Sequence, residues 1–253
     1  MFFDLQKASA LKRFSAYLLD LILICVLVTG IAFLMSAVLG FDGYLNTFET
    51  GYASYEAEWG VDFDISAEDY AKLDEDDKAY FNDAYKAFST DPKIAFAYDM
   101  LINLALTILS VSVLVVYLIL EFFVPLIFGN GQTVGKKIFG IGVMQQNHVK
   151  VTPVQLFVRS ILGKCTVETM VPMLIALMIF VGSLGVVGTG VLIVMLIMQI
   201  VLIVVTKANC AIHDVLSATV VVDMHSQMIF ESPEALLEYK KKRAEDAAAA
   251  MKY

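Results

Sequence analysis

Two charged side chains lie at an otherwise apolar stretch of the sequence. Asp20 is inside the apolar run over residues 14–39, and Arg13 immediately precedes that run. A charged group in a membrane helix costs at least ~2.5 kcal/mol on insertion scales, so it usually has a partner and a purpose. Because seven residues make nearly two helical turns, Arg13, Tyr17 and Asp20 share one helix face. This pattern predicts an integral membrane protein with an internal ionic site.

The composition of the whole chain also favours a membrane protein. Apolar residues make up 58% of the sequence and the mean hydropathy is +0.72, whereas soluble domains contain about 45–50% apolar residues. The first apolar run is too long for the apolar core of a secretory signal, and no cleavage pattern follows it. We therefore expect an uncleaved span over residues 14–39.

Two further apolar runs, over residues 94–128 and 166–206, complete the predicted spans. A single helix over 166–206 would be ~60 Å long, which is twice the thickness of a bilayer core. Four glycines within residues 182–190 could close a tight helical hairpin in its middle. The expected order is an N-terminal segment with the first span (1–40), an insertion (41–93), the second span (94–128), a basic loop (129–165), a hairpin of the third and fourth spans (166–206) and a C-terminal segment (207–253).

The distribution of basic residues predicts the orientation of the chain in the membrane. Residues 1–13 contain three Lys or Arg, residues 129–165 contain five and no acidic residue, and residues 207–253 contain six. Residues 41–93 contain four Lys against fourteen acidic residues. Since Lys and Arg concentrate in cytoplasmic segments, we expect both termini in the cytoplasm and the acidic insertion outside.

The insertion over residues 41–93 is too long for a simple loop, and its patterning predicts a small helical domain rich in aromatic residues. Ser66 has the features of a helix start. The run that begins at Asp62 resembles the opening of a calcium loop, but Ala67 and Leu73 occupy the places of the required Gly and Glu. We therefore interpret the acidic surface as a solvated face, and the alternative is an antechamber that attracts cations. No metal site is expected.

Polar residues recur along the second span at helical intervals and form one stripe, namely Asp99, Asn103, Thr107, Ser110, Tyr117 and Glu121. Polar groups inside a membrane usually face other helices or a wet cavity. The stripe is therefore either a hydrogen-bonded seam between helices or the wall of a translocation path. Glu121 should lie at the same depth as Arg13 and Asp20.

The basic loop predicts two further elements. Residues 138–152 alternate around a turn at Gln145–His148 and predict a short β-hairpin. Residues 153–165 predict a helix in the membrane interface, from which Arg159 and Lys164 could snorkel to water. The glycines near Lys136 do not have phosphate-loop spacing, and Lys137 replaces the required Ser or Thr. We expect neither nucleotide nor nucleic acid as a partner.

Three sequence blocks together resemble the RDD family of bacterial membrane proteins, which is named for one arginine and two aspartates. The blocks are residues 13–20, Glu121 with residues 131–141, and residues 213–222. The resemblance assigns the family arginine to Arg13 and the two aspartates to Asp20 and Asp214. The family-motif loop residues are Gly131, Gln132, Thr133, Gly135, Lys136 and His213. The resemblance leaves out the acidic insertion and the C-terminal tail, and residues 217–219 depart from the family's usual turn.

The resemblance implies a helical membrane domain of poorly defined function, for which transport of an unidentified ligand has been suggested. Our first hypothesis is therefore a transporter of an ion or small solute in the bacterial cytoplasmic membrane. In this hypothesis Arg13 holds Asp20 and Asp214 in place, and Glu121 and Asp20 exchange a proton or monovalent cation. Four spans are few for a pathway, so we expect a homo-oligomer or a subunit of a membrane complex. The alternative is a non-transporting scaffold or accessory subunit in which the same charges are a structural clamp. No enzyme activity and no cofactor are expected, because no nucleophile–base pair is visible.

Overall fold

The computed structural model describes residues 3–180 and 182–250, and it is mostly helical. Four helices are long and apolar enough to cross a membrane, which confirms the predicted number. We call them the first to fourth spans, and they are Ala10–Leu39, Pro92–Phe128, Pro153–Phe180 and Gly185–Val205.

Shorter helices lie within and between the spans. The first span is α1 (Ala10–Leu39), and the insertion contains α2 (Phe41–Trp59), α3 (Ala67–Lys72) and α4 (Glu75–Thr90). The second span contains α5 (Pro92–Tyr117), a π-helical segment (Leu118–Phe123) and α6 (Val124–Phe128), and α7 (Val134–Ile138) follows it. The third span contains α8 (Pro153–Phe157), a second π-helical segment (Val158–Met170) and α9 (Val171–Phe180). The fourth span is α10 (Gly185–Val205), and α11 (Ile212–Leu216) and α12 (Pro233–Ala250) come after it.

The predicted β-hairpin over residues 138–152 is wrong. Strand β1 (Ile141–Gln145) pairs antiparallel with β2 (Thr219–Asp223), so its partner is more than seventy residues further along the chain. After the turn Lys150 forms one isolated bridge back to Met144, whereas Val149 forms its bridge with the distant Phe230. The β-branched run in β2 is the stronger partner because its valines are buried with β1.

The predicted interfacial helix over residues 153–165 is not a separate element. Pro153 begins the helix, with Thr152 as its cap, and the helix continues without a break to Phe180. The glycine-rich turn that follows agrees with the prediction. Gly182 and Gly185 both have positive φ, a conformation that glycine adopts without steric cost, and α10 begins at Gly185.

The described chain divides into two compact units. One unit contains the residues up to Val28 and those from Val113 onward, and the other is Thr29–Ser112. In the first unit, β1 and β2 form a core with the start of α1, through Ile141, Val143, Val221, Ala8 and Ala16. The N-terminal segment also joins this sheet, because the Ala8 N–H donates to the Val221 carbonyl at 3.2 Å.

The second unit contains the insertion, which is helical as predicted. Ser66 caps α3 by accepting a hydrogen bond from the Asp69 N–H at 3.1 Å. Phe88 on α4 is buried, and five other aromatic rings surround it, namely Phe48, Tyr52, Tyr55, Phe63 and Tyr85. These rings give the small domain a core of its own.

Candidate functional site: a buried ionic network

Asp214 is buried in the first unit and has no exposed surface. Arg13 Nη2 lies 3.0 Å from Asp214 Oδ2, and Arg159 Nη1 donates to the other carboxylate oxygen, Oδ1. The Ala211 N–H also donates to Oδ2, at 2.9 Å. Burial opposes ionisation of Asp214, but Arg159, the protonated form of His213 and Arg13 outweigh it and hold the pKa of this carboxyl well below its usual range.

The two arginines reach Asp214 from different elements and have further partners. Arg13 is on the first turn of α1 and also donates to the carbonyls of Ala208 and Asn209, at 3.1 and 2.6 Å. Arg159 is in the π-helical segment of the third span and also donates to Thr219 Oγ1 at 2.7 Å. One carboxylate therefore joins the first span, the third span and the segment after the fourth span.

Asp20 has different partners from those expected. Its oxygens accept hydrogen bonds from Thr133 Oγ1 at 2.5 Å and from the Gly135 N–H at 2.8 Å, whereas Arg13 pairs with Asp214. Glycine is required at 135, since an added Cβ would lie 2.3 Å from the Ala16 carbonyl oxygen. The Asp20 carboxylate thus fastens the start of α7 to the first span. The expectation that Arg13 holds both aspartates is wrong for Asp20.

Glu121 is also buried; it accepts hydrogen bonds from Lys164 and forms a longer ion pair with Lys136. Lys164 Nζ lies 2.7 Å from both carboxylate oxygens of Glu121, and Lys136 Nζ lies 4.0 Å from Oε2. Glu121 and Lys164 are both in π-helical segments, which occur frequently at functional sites. The Ser160 hydroxyl donates to the Glu121 carbonyl and fastens these segments together.

Lys136 is the unusual cation of the network. Its side chain is nearly buried, and Glu121 Oε2 at 4.0 Å is the carboxylate oxygen with which it forms an ion pair. Burial, together with the positive charge of Lys164, lowers the pKa of Lys136 to about 7, although Glu121 acts in the opposite direction. Lys136 can therefore change its charge near neutral pH.

His213 connects Asp214 to a fourth carboxylate, Glu168. His213 Nδ1 lies 2.8 Å from Glu168 Oε2, and its Nε2 lies 3.7 Å from Asp214 Oδ1. The backbones approach closely here, because a Cβ on Gly163 would lie 2.6 Å from His213 Cβ. Burial lowers the pKa of His213 below its ordinary value, although the two carboxylates favour the protonated form.

Opposite charges balance across this buried network. It contains four basic and four acidic side chains, with His213 neutral and Lys136 protonated. The basic members are Arg13, Lys136, Arg159 and Lys164, and the acidic members are Asp20, Glu121, Glu168 and Asp214. Within residues 3–180 and 182–250, no buried side-chain nitrogen or oxygen lacks a hydrogen-bond partner. Such saturation is what a buried set of charges needs for stability.

The remaining residues of the family-motif loop position this network. Gly131 has positive φ and packs against Val143, and the Gln132 side chain donates to the Ile141 carbonyl at 2.9 Å. Thr133 caps α7 as well as contacting Asp20. The loop therefore links the first span to strand β1.

The polar stripe of the second span is not one continuous seam or wall. Asp99, Asn103 and Thr107 are exposed, and Ser110 is partly exposed. Only the end that belongs to the first unit is covered. There the Tyr117 hydroxyl lies 2.8 Å from Thr169 Oγ1 on the third span.

Sequence reasoning missed Arg159, Lys164 and Glu168 as members of the network. An interfacial helix would have placed Arg159 and Lys164 in water, and nothing singled out Glu168. One signal was available, because three buried carboxylates needed cations and the basic loop contains five without a single acid. Among the described residues, no group of three or more His, Cys, Asp or Glu side chains could hold a metal ion.

Comparison with known proteins identifies the family. A family model described as the RDD family matches residues 7–218, which is most of the chain and includes every member of the buried network. No curated protein and no solved structure matches the chain. The match to the family model shows that this chain belongs to the RDD family.

Proposed function

We propose that this membrane protein is a non-transporting scaffold or accessory subunit, and that its ionic network is a structural clamp. The observation that carries the proposal is Asp214, which is completely buried and engaged on both oxygens by Arg13 and Arg159. An ion-carrying carboxylate must exchange its partners with water or substrate. The oxygens of Asp214 are instead occupied by fixed protein donors from three distant parts of the chain.

The other two carboxylates support the same proposal. Asp20 accepts from a hydroxyl and a backbone N–H, and Glu121 accepts from Lys164 on both oxygens. Removing one partner from such a pair leaves an uncompensated buried charge, so each contact favours one fixed arrangement. The clamp leaves the exposed helix α12, with its basic run at residues 240–243, as a surface for an acidic partner.

The test measures cation and proton flux through the purified protein in liposomes, under imposed sodium, potassium and proton gradients. We expect no flux above that of protein-free liposomes in any gradient. The proposal fails if the wild-type protein carries a cation or proton, and loss of that flux in folded Glu121→Gln protein would assign it to the ionic network. Lys72→Gln, which changes an exposed pair in the insertion, is the matched control for loss of one charge.

A second function, cation–proton exchange, is favoured by one observation. Lys136 is buried with a pKa of about 7 and lies 4.0 Å from Glu121. Release of its proton would leave Glu121 with one close cation, and a monovalent cation could then replace the lost charge. Lys136→Arg keeps a permanent charge at this position. If exchange occurs, that variant should lose the pH dependence of flux near neutrality, and the conservative Lys137→Arg should retain it.

A further inference from the structure

The second unit contains a cleft between α2 and the start of α5, which we call the α2–α5 cleft. Its volume is about 410 Å³, within the usual size range of small-molecule pockets. Every residue that lines it belongs to the second unit, so this unit forms the cleft by itself. The two helices touch there, because a Cβ on Gly51 would lie 2.8 Å from Ile94 Cδ1. The cleft is therefore separate from the buried ionic network, whose members all belong to the first unit.

One wall of the cleft is a polar stripe on α2. The stripe consists of Asn46, Thr47, Thr50 and Ser54, which lie within an arc of about 100° on the helix. Thr47 and Ser54 donate their hydroxyl protons to backbone carbonyls, each at 2.8 Å, and Thr50 donates to Asn46 Oδ1 at 3.3 Å. Each hydroxyl oxygen keeps lone pairs that accept hydrogen bonds from a ligand. The amide N–H groups of Asn46 have no acceptor in the part of the chain that the structure describes. This wall therefore offers hydroxyl acceptors and one amide donor.

Two side chains of opposite charge, Asp91 and Lys93, also line the cleft. Asp91 Oδ1 accepts from the backbone N–H groups of Lys93 and Ile94, at 2.8 and 3.3 Å, and Oδ2 accepts from the Tyr55 hydroxyl at 3.1 Å. These donors lower the pKa of Asp91 below its ordinary value, so the carboxylate is ionised at neutral pH. Among residues 3–180 and 182–250, the Lys93 ammonium forms neither a salt bridge nor a hydrogen bond. The cleft therefore combines a carboxylate held in place with an ammonium whose donors are unused.

We propose that the α2–α5 cleft binds a small zwitterionic solute of the free amino acid class. The carboxylate of the solute pairs with the Lys93 ammonium and accepts from the Asn46 amide. Its ammonium group donates to Asp91 and to the hydroxyl oxygens of α2. A neutral sugar would leave the Lys93 charge without a counter-charge, and a lone cation would be repelled by it. This inference does not depend on whether the chain acts as a clamp or an exchanger, since none of these residues belongs to the ionic network.

Isothermal titration calorimetry of the purified full-length protein in detergent tests the class of ligand. The standard free amino acids are titrated one at a time, and glucose is the neutral comparison. For the amino acid that binds most tightly, two analogues follow, one without the ammonium group and one without the carboxylate. We expect saturable binding of at least one amino acid, about tenfold tighter or more than either analogue or glucose. Binding of no amino acid, or equally tight binding of glucose or of an analogue, would overturn the proposal.

Two pairs of matched variants test the place of binding. Lys93→Gln removes the ammonium but keeps the backbone N–H that Asp91 accepts, and it should weaken binding of the amino acid about tenfold or more. Lys86→Gln, at an exposed lysine outside the cleft, should leave the affinity unchanged.

The second pair tests the hydroxyl acceptors. Thr47 and Thr90 both donate to the carbonyl four residues earlier, at 2.8 and 2.7 Å, but only Thr47 lines the cleft. Thr47→Val should therefore weaken binding about threefold to tenfold, and Thr90→Val should not. Because all four positions are at least partly exposed, the variants should unfold at the wild-type temperature. Wild-type affinity in Lys93→Gln, or equal losses within either pair, would also overturn the proposal.

Discussion

The guanidinium of Arg13 donates to the Asp214 carboxylate at 3.0 Å across 201 residues of sequence. Arg159 engages the opposite oxygen, so the carboxylate is shared by two permanent cations. Because both arginines remain charged at any physiological pH, the arrangement depends on the single negative charge between them. Substitution of Asp214 would therefore leave both arginines without their shared counter-charge.

Asp214→Asn should destabilise the protein by about 3–5 kcal/mol, because it leaves two guanidinium groups without a buried counter-charge. The free energy of unfolding can be measured by denaturant titration in a mild detergent. Asp69→Asn is the control, since Asp69 belongs to an exposed pair with Lys72 and its substitution should cost little compared with Asp214→Asn. A stability of Asp214→Asn within error of wild type would contradict the clamp.

The close approach of α7 to the first span makes a steric prediction. Gly135→Ala should destabilise the fold by about 1–3 kcal/mol, because the new methyl group would collide with the Ala16 carbonyl and displace Asp20. Gly30→Ala in the same span meets no atom within 4 Å and should be neutral or slightly stabilising. Melting temperatures measured in one detergent should be lower for Gly135→Ala than for Gly30→Ala. Equal effects would mean that the loop does not pack as described.

Local patterns in the sequence were sufficient to predict much of the fold. The spans could be predicted from apolar runs long enough to cross a bilayer. The turn could be predicted from the glycines at 182 and 185, and the helical insertion from signals such as the Ser66 cap. All of these signals act on residues that are neighbours in the sequence. The predicted partner of strand β1 was wrong because β2 is distant in sequence and the nearer residues offered a plausible turn. Pairing between distant strands depends on tertiary packing that no local pattern contains.

The candidate site was only partly predictable for the same reason. Charges inside apolar runs stood out, and Arg13, Asp20, Glu121 and Asp214 are all in the network. Their pairing was not predictable, because Glu121 and Lys164 lie in two π-helical segments, which have no sequence signal of their own. Asp20 accepts from a hydroxyl and a backbone N–H. Because nearly every residue has a backbone N–H, the sequence could not show which one Asp20 would bind.

His213 predicts a loss of stability in acid. Its pKa is lowered in the folded protein. At a pH just below the ordinary pKa of histidine, the folded state therefore binds fewer protons than the unfolded state. The contribution of His213 is therefore complete above about pH 6.5 and is lost as the pH falls toward the lowered pKa. Unfolding measured between pH 8 and pH 5 should have a shallower pH dependence in His213→Gln than in wild type. An equally steep dependence in both proteins would assign the effect to another group.

The contact between the two ends of the chain predicts their location. Lys12, on the first turn of the first span, has its Nζ 2.6 Å from Asp223 Oδ2, so we expect the start of that span and the segment after the fourth span to lie on one side of the membrane. The basic residues favour the cytoplasm for that side. A membrane-impermeant maleimide should label Ser89→Cys, an exposed position in the insertion, on intact cells. Ala249→Cys should react only after permeabilisation, and the reverse result would invert the topology.

Lys136 should weaken the folded protein at neutral pH. Its pKa falls to about 7 on burial. At pH values between 7 and the ordinary pKa of lysine, the unfolded state therefore binds more protons than the folded state, and stability rises with pH in that window. Lys136→Met should be more stable at pH 7, by about 1 kcal/mol or more, because Glu121 retains Lys164 as its close partner. The variant should also have a flatter stability profile between pH 7 and pH 10. The exposed neighbour Lys137 is the control, and Lys137→Met should follow the wild-type profile. Lower stability of Lys136→Met at pH 7 would instead make Lys136 an essential counter-charge of Glu121.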